Sequence, residues 1–85
     1  MQRLPYEVLR KEYDTLTGEE WCYSIRFRTE DKARIRMQQD FRSVFLPYIR
    51  KDPEMFKAET NKDTISFLTP LIRYEWRLIA HDSNG

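Results

Sequence analysis

Between Trp21 and Arg28 the chain alternates without a break: Trp21, Tyr23, Ile25 and Phe27 are separated by Cys22, Ser24, Arg26 and Arg28. Aromatic and β-branched residues on a two-residue period describe a half-buried strand. A strand cannot stand alone, because its backbone N–H and C=O groups need partners once water is excluded. The chain must therefore supply at least one more. Residues 71–80 offer it, with Ile72, Tyr74, Trp76, Leu78 and Ala80 on one face and Arg73, Glu75 and Arg77 on the other. The same stretch also reads as a helix, with Thr69 as its cap, Pro70 in its first turn and Leu71, Tyr74 and Leu78 as a stripe. The need of the first strand for a neighbour favours the second strand.

The remaining segments carry helical periods. Pro5 suits a first helical turn, Tyr6, Leu9, Tyr13 and Leu16 follow at helical spacing, and Gly18 suits a left-handed stop. This predicts a helix over 5–16. Thr29 is a natural N-cap, with Glu30 and Asp31 at the positive end of a helix dipole. Ala33, Met37, Phe41, Val44, Phe45 and Tyr48 then share one face, and Pro47 is expected to kink or stop the helix near Leu46. Asp52-Pro53-Glu54 reads as the start of a further short helix through about residue 60. The expected fold is a small single α+β domain in the order helix-strand-helix-helix-strand, with a short antiparallel sheet packed on helices. The alternative is a mostly helical chain whose C-terminal segment is also a helix.

Length and composition limit what such a domain can do. Eighty-five residues make one domain over 1–85, with residues 1–3 and 82–85 expected to fray. The mean hydropathy is −0.79, so the twelve aromatics, each able to bury ~150–250 Å², must carry much of the core. No apolar run approaches the ~20 residues of a membrane span, and the first residues lack the apolar region of a signal peptide. With a single cysteine no internal disulfide can form, so a reducing, cytoplasmic setting is expected.

Catalytic and metal chemistry find little to work with. Zinc sites need several Cys and His at fixed spacing, and the chain has one of each, Cys22 and His81. Its acidic segments lack the order of a calcium loop, and Gly18 stands too far from Gly85 to build a phosphate-cradling loop. Cys22, His81 and a carboxylate would make a nucleophilic set only if folding brought them together. A non-enzyme without cofactors is expected.

Charge is where the sequence is uneven. The formal net charge is +1, yet residues 23–51 hold Arg26, Arg28, Lys32, Arg34, Arg36, Arg42, Arg50 and Lys51 against only Glu30, Asp31 and Asp40. Arg34, Gln38 and Arg42 follow at four-residue spacing, and Lys32 and Arg36 adjoin them. Such a patch serves a solvated face, an acidic protein surface or a phosphate backbone. A pI near 7.9 sits below the ~9 usual for dedicated nucleic-acid binders, and base stacking would need the strand aromatics exposed.

The expected function is accordingly a non-catalytic protein-interaction module: a subunit, an adaptor or a small inhibitor, of a size that also suits viral or mobile-element accessory proteins. Its contact residues would be Arg26, Arg28, Lys32, Arg34, Arg36, Arg42 and Trp76, facing a protein with an acidic surface. A two-stranded sheet also leaves open edges, so a homodimer through the sheet edge or the C-terminal element belongs to the same expectation. Nucleic-acid binding through the basic 23–51 segment is the alternative, and no membrane association is expected.

Overall fold

A computed structural model describes residues 4–81; the expected fraying of 1–3 and 82–85 falls outside the described residues. The elements run β1 (Tyr6–Asp14), β2 (Glu20–Phe27), α1 (Glu30–Lys51), β3 (Ala58–Thr60), β4 (Thr64–Leu68) and β5 (Ile72–Ala80). The five strands form one antiparallel sheet in the order β2-β1-β5-β4-β3. Among the described residues a single helix crosses one face of it, and the other face has no layer upon it. The domain is α+β, as expected, with one helix where three were predicted.

Two of those helices are corrected to strands and turns. Residues 5–16 form β1, the strand that pairs with both β2 and β5. Its stripe of Tyr6, Leu9, Tyr13 and Leu16 does not define a face, because pairing on both edges satisfies the β1 backbone more completely than an isolated helix would. Gly18 does adopt a left-handed conformation (φ +79°), but it closes the β1–β2 hairpin and donates to the Asp14 carbonyl. Asp14 Oδ1 accepts from the backbone N–H of Leu16 and Thr17 at 2.8 and 3.1 Å, which shapes the same turn. Asp52 likewise accepts from the N–H of Glu54 and Met55 and goes no further than a turn. The chain there is held by Phe56, buried against Tyr48 at 5.2 Å between ring centroids, and then extends into β3.

The strand reading of 71–80 is right, and the features that mimicked a helix start build a turn instead. Thr69 Oγ1 accepts from the N–H of Ile72 at 2.9 Å and of Leu71 at 3.3 Å, while Pro70 turns the chain between β4 and β5. The α1 start is as read, with Thr29 Oγ1 accepting from Lys32 N–H. Pro47 does not stop the helix, which runs on to Lys51. Pro47 is exposed, so the carbonyl it deprives of a partner can be hydrated, while Val44, Phe45 and Tyr48 hold the turn from the core side.

The core lies between α1 and the strands it covers. Ala33 and Met37 meet Val8, Ile65, Phe67, Tyr74, Trp76 and Leu78, with Phe41, Val44, Phe45 and Tyr48 packed around them. Phe67 is at the centre. It stacks on Tyr74 at 4.8 Å and on Trp76 at 5.9 Å, and takes the edges of Phe41, Phe45 and Tyr48 from the helix. Tyr48 and Tyr74 share a 3.4 Å hydroxyl hydrogen bond, and burial followed by that bond raises the Tyr74 phenol above its ordinary range.

Two stability predictions follow from this packing and these turns. Phe67→Ala should cost about 3–5 kcal/mol, most of the stability of a domain this small, read from its urea midpoint. The Glu7 and Asp14 carboxyls are held below their ordinary range, Glu7 mainly by its contact with His81 and Asp14 by the Thr17 and Leu16 N–H groups. Their contribution is therefore present above the unfolded carboxylate value and lost as pH falls through the lower folded value. The urea midpoint should decline from about pH 5 downward, and less steeply in Asp14→Ala.

Candidate interaction surface at the β2 margin

Because side chains alternate along a strand, the register assigns each residue to a face. Val8 lies opposite Ile25 and Leu78, Arg10 opposite Tyr23 and Trp76, and Glu12 opposite Trp21 and Tyr74. All of these face α1. The helix lies chiefly over β1 and β5, sends ring contacts to Phe67 of β4, and meets β2 over a smaller area. Trp21, Tyr23 and Ile25 thus point to the core side of the sheet and remain 40%, 53% and 44% exposed. The alternation read in the sequence is real, and the expected burial of this face is incomplete: the helix leaves these three side chains exposed.

A polar network sets the inner wall of this margin. Asp40 of α1 accepts from Trp76 Nε1 at 3.0 Å and from Arg10 Nη1 at 3.4 Å. Arg10 Nη2 also meets Glu12 at 3.4 Å, and the guanidinium lies 5.7 Å from the Tyr23 ring centroid and 5.8 Å from that of Trp76. A cation held against two ring faces gains electrostatically from both. Between this wall and the helix runs a cleft lined by Val8, Arg10, Tyr23, Ile25, Arg36 and Asp40. Glu12 and Ser24 line it as well, so its chemistry is mixed: Val8, Tyr23 and Ile25 are apolar, Arg10 and Arg36 are cationic, and Glu12 and Asp40 are acidic.

The predicted contact residues do not form one patch. At ~100° per residue, Arg34 and Arg36 leave the helix on nearly opposite sides. Arg34 turns toward the β3–β4 turn, where it donates to the Lys62 carbonyl at 2.8 Å and pairs with Glu30 and Asp63 at 2.8 and 2.9 Å. Those partners raise its pKa, Glu30 first, and leave it a structural clamp. Arg36 turns toward β2. Lys32 and Arg42 are exposed on the solvent side, and Arg28 is exposed just beyond the end of β2. Arg26 lies on the uncovered sheet face, opposite Glu7, and donates to the Leu4 carbonyl. Trp76 is corrected outright: at 0% exposure it is the most completely buried large side chain and offers no surface.

Sequence reasoning missed Arg10 and Asp40, and nothing in their spacing marks them. Tyr23, on the face expected to be buried, is exposed. The imagined nucleophilic set is not assembled. Cys22 sits opposite Lys11, whereas His81 lies beside Pro5 and contacts Glu7 at 2.7 Å. Six residues of strand separate those levels, or about 20 Å.

The network makes a stability prediction of its own. Asp40→Ala leaves the Trp76 indole N–H and Arg10 without their acceptor and should cost about 1–3 kcal/mol. Asp40→Asn keeps an acceptor for Trp76 and should recover part of that loss, as read by chemical denaturation followed through tryptophan fluorescence. No family model matches the chain, and no curated protein or solved structure matches it, so its function is argued from this surface.

Proposed function

We propose that this chain is a non-catalytic protein-interaction module, acting as a subunit, adaptor or small inhibitor, and that it binds through the β2 margin. One observation carries the reading. Three large apolar side chains, Trp21, Tyr23 and Ile25, are left open beside an eight-residue strand that has no neighbour on its outer edge among the described residues. Exposed apolar groups clustered in this way mark a contact site more often than scattered ones do. Aromatic anchors with an arginine at their rim are the usual composition of interface hot spots, and Arg36 supplies that rim. An acidic group on the partner would complement it, which preserves the expected partner chemistry while moving the site away from Arg34, Arg42 and Trp76.

The test places a photo-cross-linkable residue at Tyr23 and, as a control, at the exposed Lys57. A discrete protein adduct should form from position 23 alone and disappear when Ile25→Asp is added to a chain whose circular dichroism is unchanged. Equal adducts from both positions, or indifference to Ile25→Asp, would remove the margin from consideration.

Exposure of Trp21 and Tyr23 also supports a second reading, since it supplies the stacking surfaces that nucleic-acid binding requires. Glu12 and Asp40 lie on the same face as those rings and oppose a phosphate backbone. Binding to single-stranded probes at ~50 mM salt, weakening steeply as salt rises, would favour it over the protein reading.

A further inference from the structure

We infer that the occupant of the β2 margin is a second copy of this chain, joined by antiparallel pairing of β2 with β2 about a two-fold axis at Tyr23. This rests on the margin being a protein-binding surface and names what it binds.

The hydrogen-bond pattern decides which backbone groups are free. Asp14 donates to the Glu19 carbonyl at 2.8 Å across the β1–β2 hairpin. With the register Tyr6↔Phe27 through Tyr13↔Glu20, the alternation of an antiparallel ladder makes Trp21, Tyr23 and Ile25 the β2 residues bonded to β1. The N–H and C=O groups of Glu20, Cys22, Ser24 and Arg26 then point outward. These form a continuous set along the strand, and no proline interrupts it.

The side chains are complementary to themselves. Two antiparallel copies centred on Tyr23 set Glu20 against Arg26 at both ends, Trp21 against Ile25, Cys22 against Ser24, and Tyr23 against its own copy. Opposite charges and aromatic–β-branched pairs are both stabilising cross-strand neighbours, and every pair lies within the bounds of β2. Moving the axis to Ser24 puts Cys22 against Arg26 and needs Arg28, which lies beyond the strand. Moving it to Cys22 puts Trp21 against Tyr23 but leaves Arg26 facing Gly18, with no acid opposite it. The Ser24 axis would pair Glu20 with Arg28, but of the registers whose pairs all lie within β2, only the Tyr23 register pairs both the charges and the apolar residues.

The two ends of the sheet support the same conclusion. At the far edge, β3 has three residues and carries Glu59, a short and charged strand of the kind that resists pairing. The β2 edge is eight residues long, and its five central residues, Trp21 to Ile25, are uncharged. Joining two β2 edges makes one ten-stranded sheet whose only remaining edges are the blunted β3 strands. It also sets the two helices on the same face, with Trp21, Tyr23 and Ile25 of both copies flooring the trough between them.

The experiment measures mass in solution across a concentration series by sedimentation equilibrium, and cross-linking under mild oxidation. The wild-type chain should be a reversible dimer. Ser24→Pro removes an outward N–H that β1 does not use, a position where an edge strand accepts proline. It should weaken the dimer ~30-fold or more, as the loss of an interface hot spot does, while leaving circular dichroism unchanged. Ser24→Cys places its thiol opposite Cys22 of the second copy, within the ~5.5 Å between Cα atoms that a disulfide spans, and should give a cross-linked dimer. Wild-type Cys22 is offset from its own copy by about 7 Å along the strand and should not cross-link. If Ser24→Pro fails to fold, the thiol pair decides the question. A dimer indifferent to Ser24→Pro, a wild-type disulfide, or no disulfide in Ser24→Cys overturns the proposal. A strict monomer that still yields an adduct from position 23 overturns the second copy and keeps the margin for another protein; a monomer with no adduct overturns both.

Discussion

The contact between Trp76 and Asp40 ties the two layers together, and much of the architecture answers to it. Trp76 is the largest side chain at the centre of the core and buries more apolar area than any neighbour can replace. Its indole N–H cannot be left dry, since an unmade hydrogen bond there costs about 1–3 kcal/mol. Asp40 supplies the acceptor from the helix. A carboxylate brought that close to the core needs a counter-charge, and Arg10 brings it from β1. The flat guanidinium then needs flat neighbours, which it finds in Trp76 itself and in Tyr23. Each group creates the requirement that the next one meets, and the series ends at β2.

That series explains why β1 is the hardest strand to read. A strand under a helix ordinarily alternates apolar with polar residues, and β1 would do so if positions 10 and 12 were apolar. They are Arg10 and Glu12, both turned inward. The period of two vanishes, and the chance spacing of Tyr6, Leu9, Tyr13 and Leu16 remains as a helical decoy. In β2 and β5 no such network intervenes on the strand's own period, and both were legible with nearly their true bounds. Gly18, Asp52 and Thr69 show a related effect. Each was recognised as a residue of special local geometry, and each has that geometry, but a hairpin turn and a helix terminus make the same local demand. Only pairing partners distant in sequence distinguish the two.

The candidate site was legible in its composition and not in its exposure. The sequence states that Trp21, Tyr23, Ile25 and Phe27 share a face; it does not state how wide the covering layer is. One helix spans about 10 Å, roughly two strands of a sheet spaced at ~4.8 Å. A five-stranded sheet with a single helix on it must therefore leave strands uncovered at its sides. On the β3–β4 side, Arg34 and its partners Glu30 and Asp63 close the gap with charge. On the β2 side no described residue closes it in that way, and the side chains left there are Trp21, Tyr23 and Ile25.

The contrast between the two sides is what supports the proposal of a contact surface at β2. A chain of this length can blunt an edge cheaply, and this one does so at β3 with a three-residue strand. The same devices are missing at β2, where a lysine or a proline at Cys22 or Ser24 would disturb no core contact, because those side chains face away from the helix. Only the two ends of the edge carry charge, acidic at Glu20 and basic at Arg26, and antiparallel pairing brings those opposite signs together. An edge built to repel other strands would carry the same sign throughout. This edge is neutral in its middle and opposite in sign at its ends, which is the arrangement the proposed antiparallel self-pairing requires.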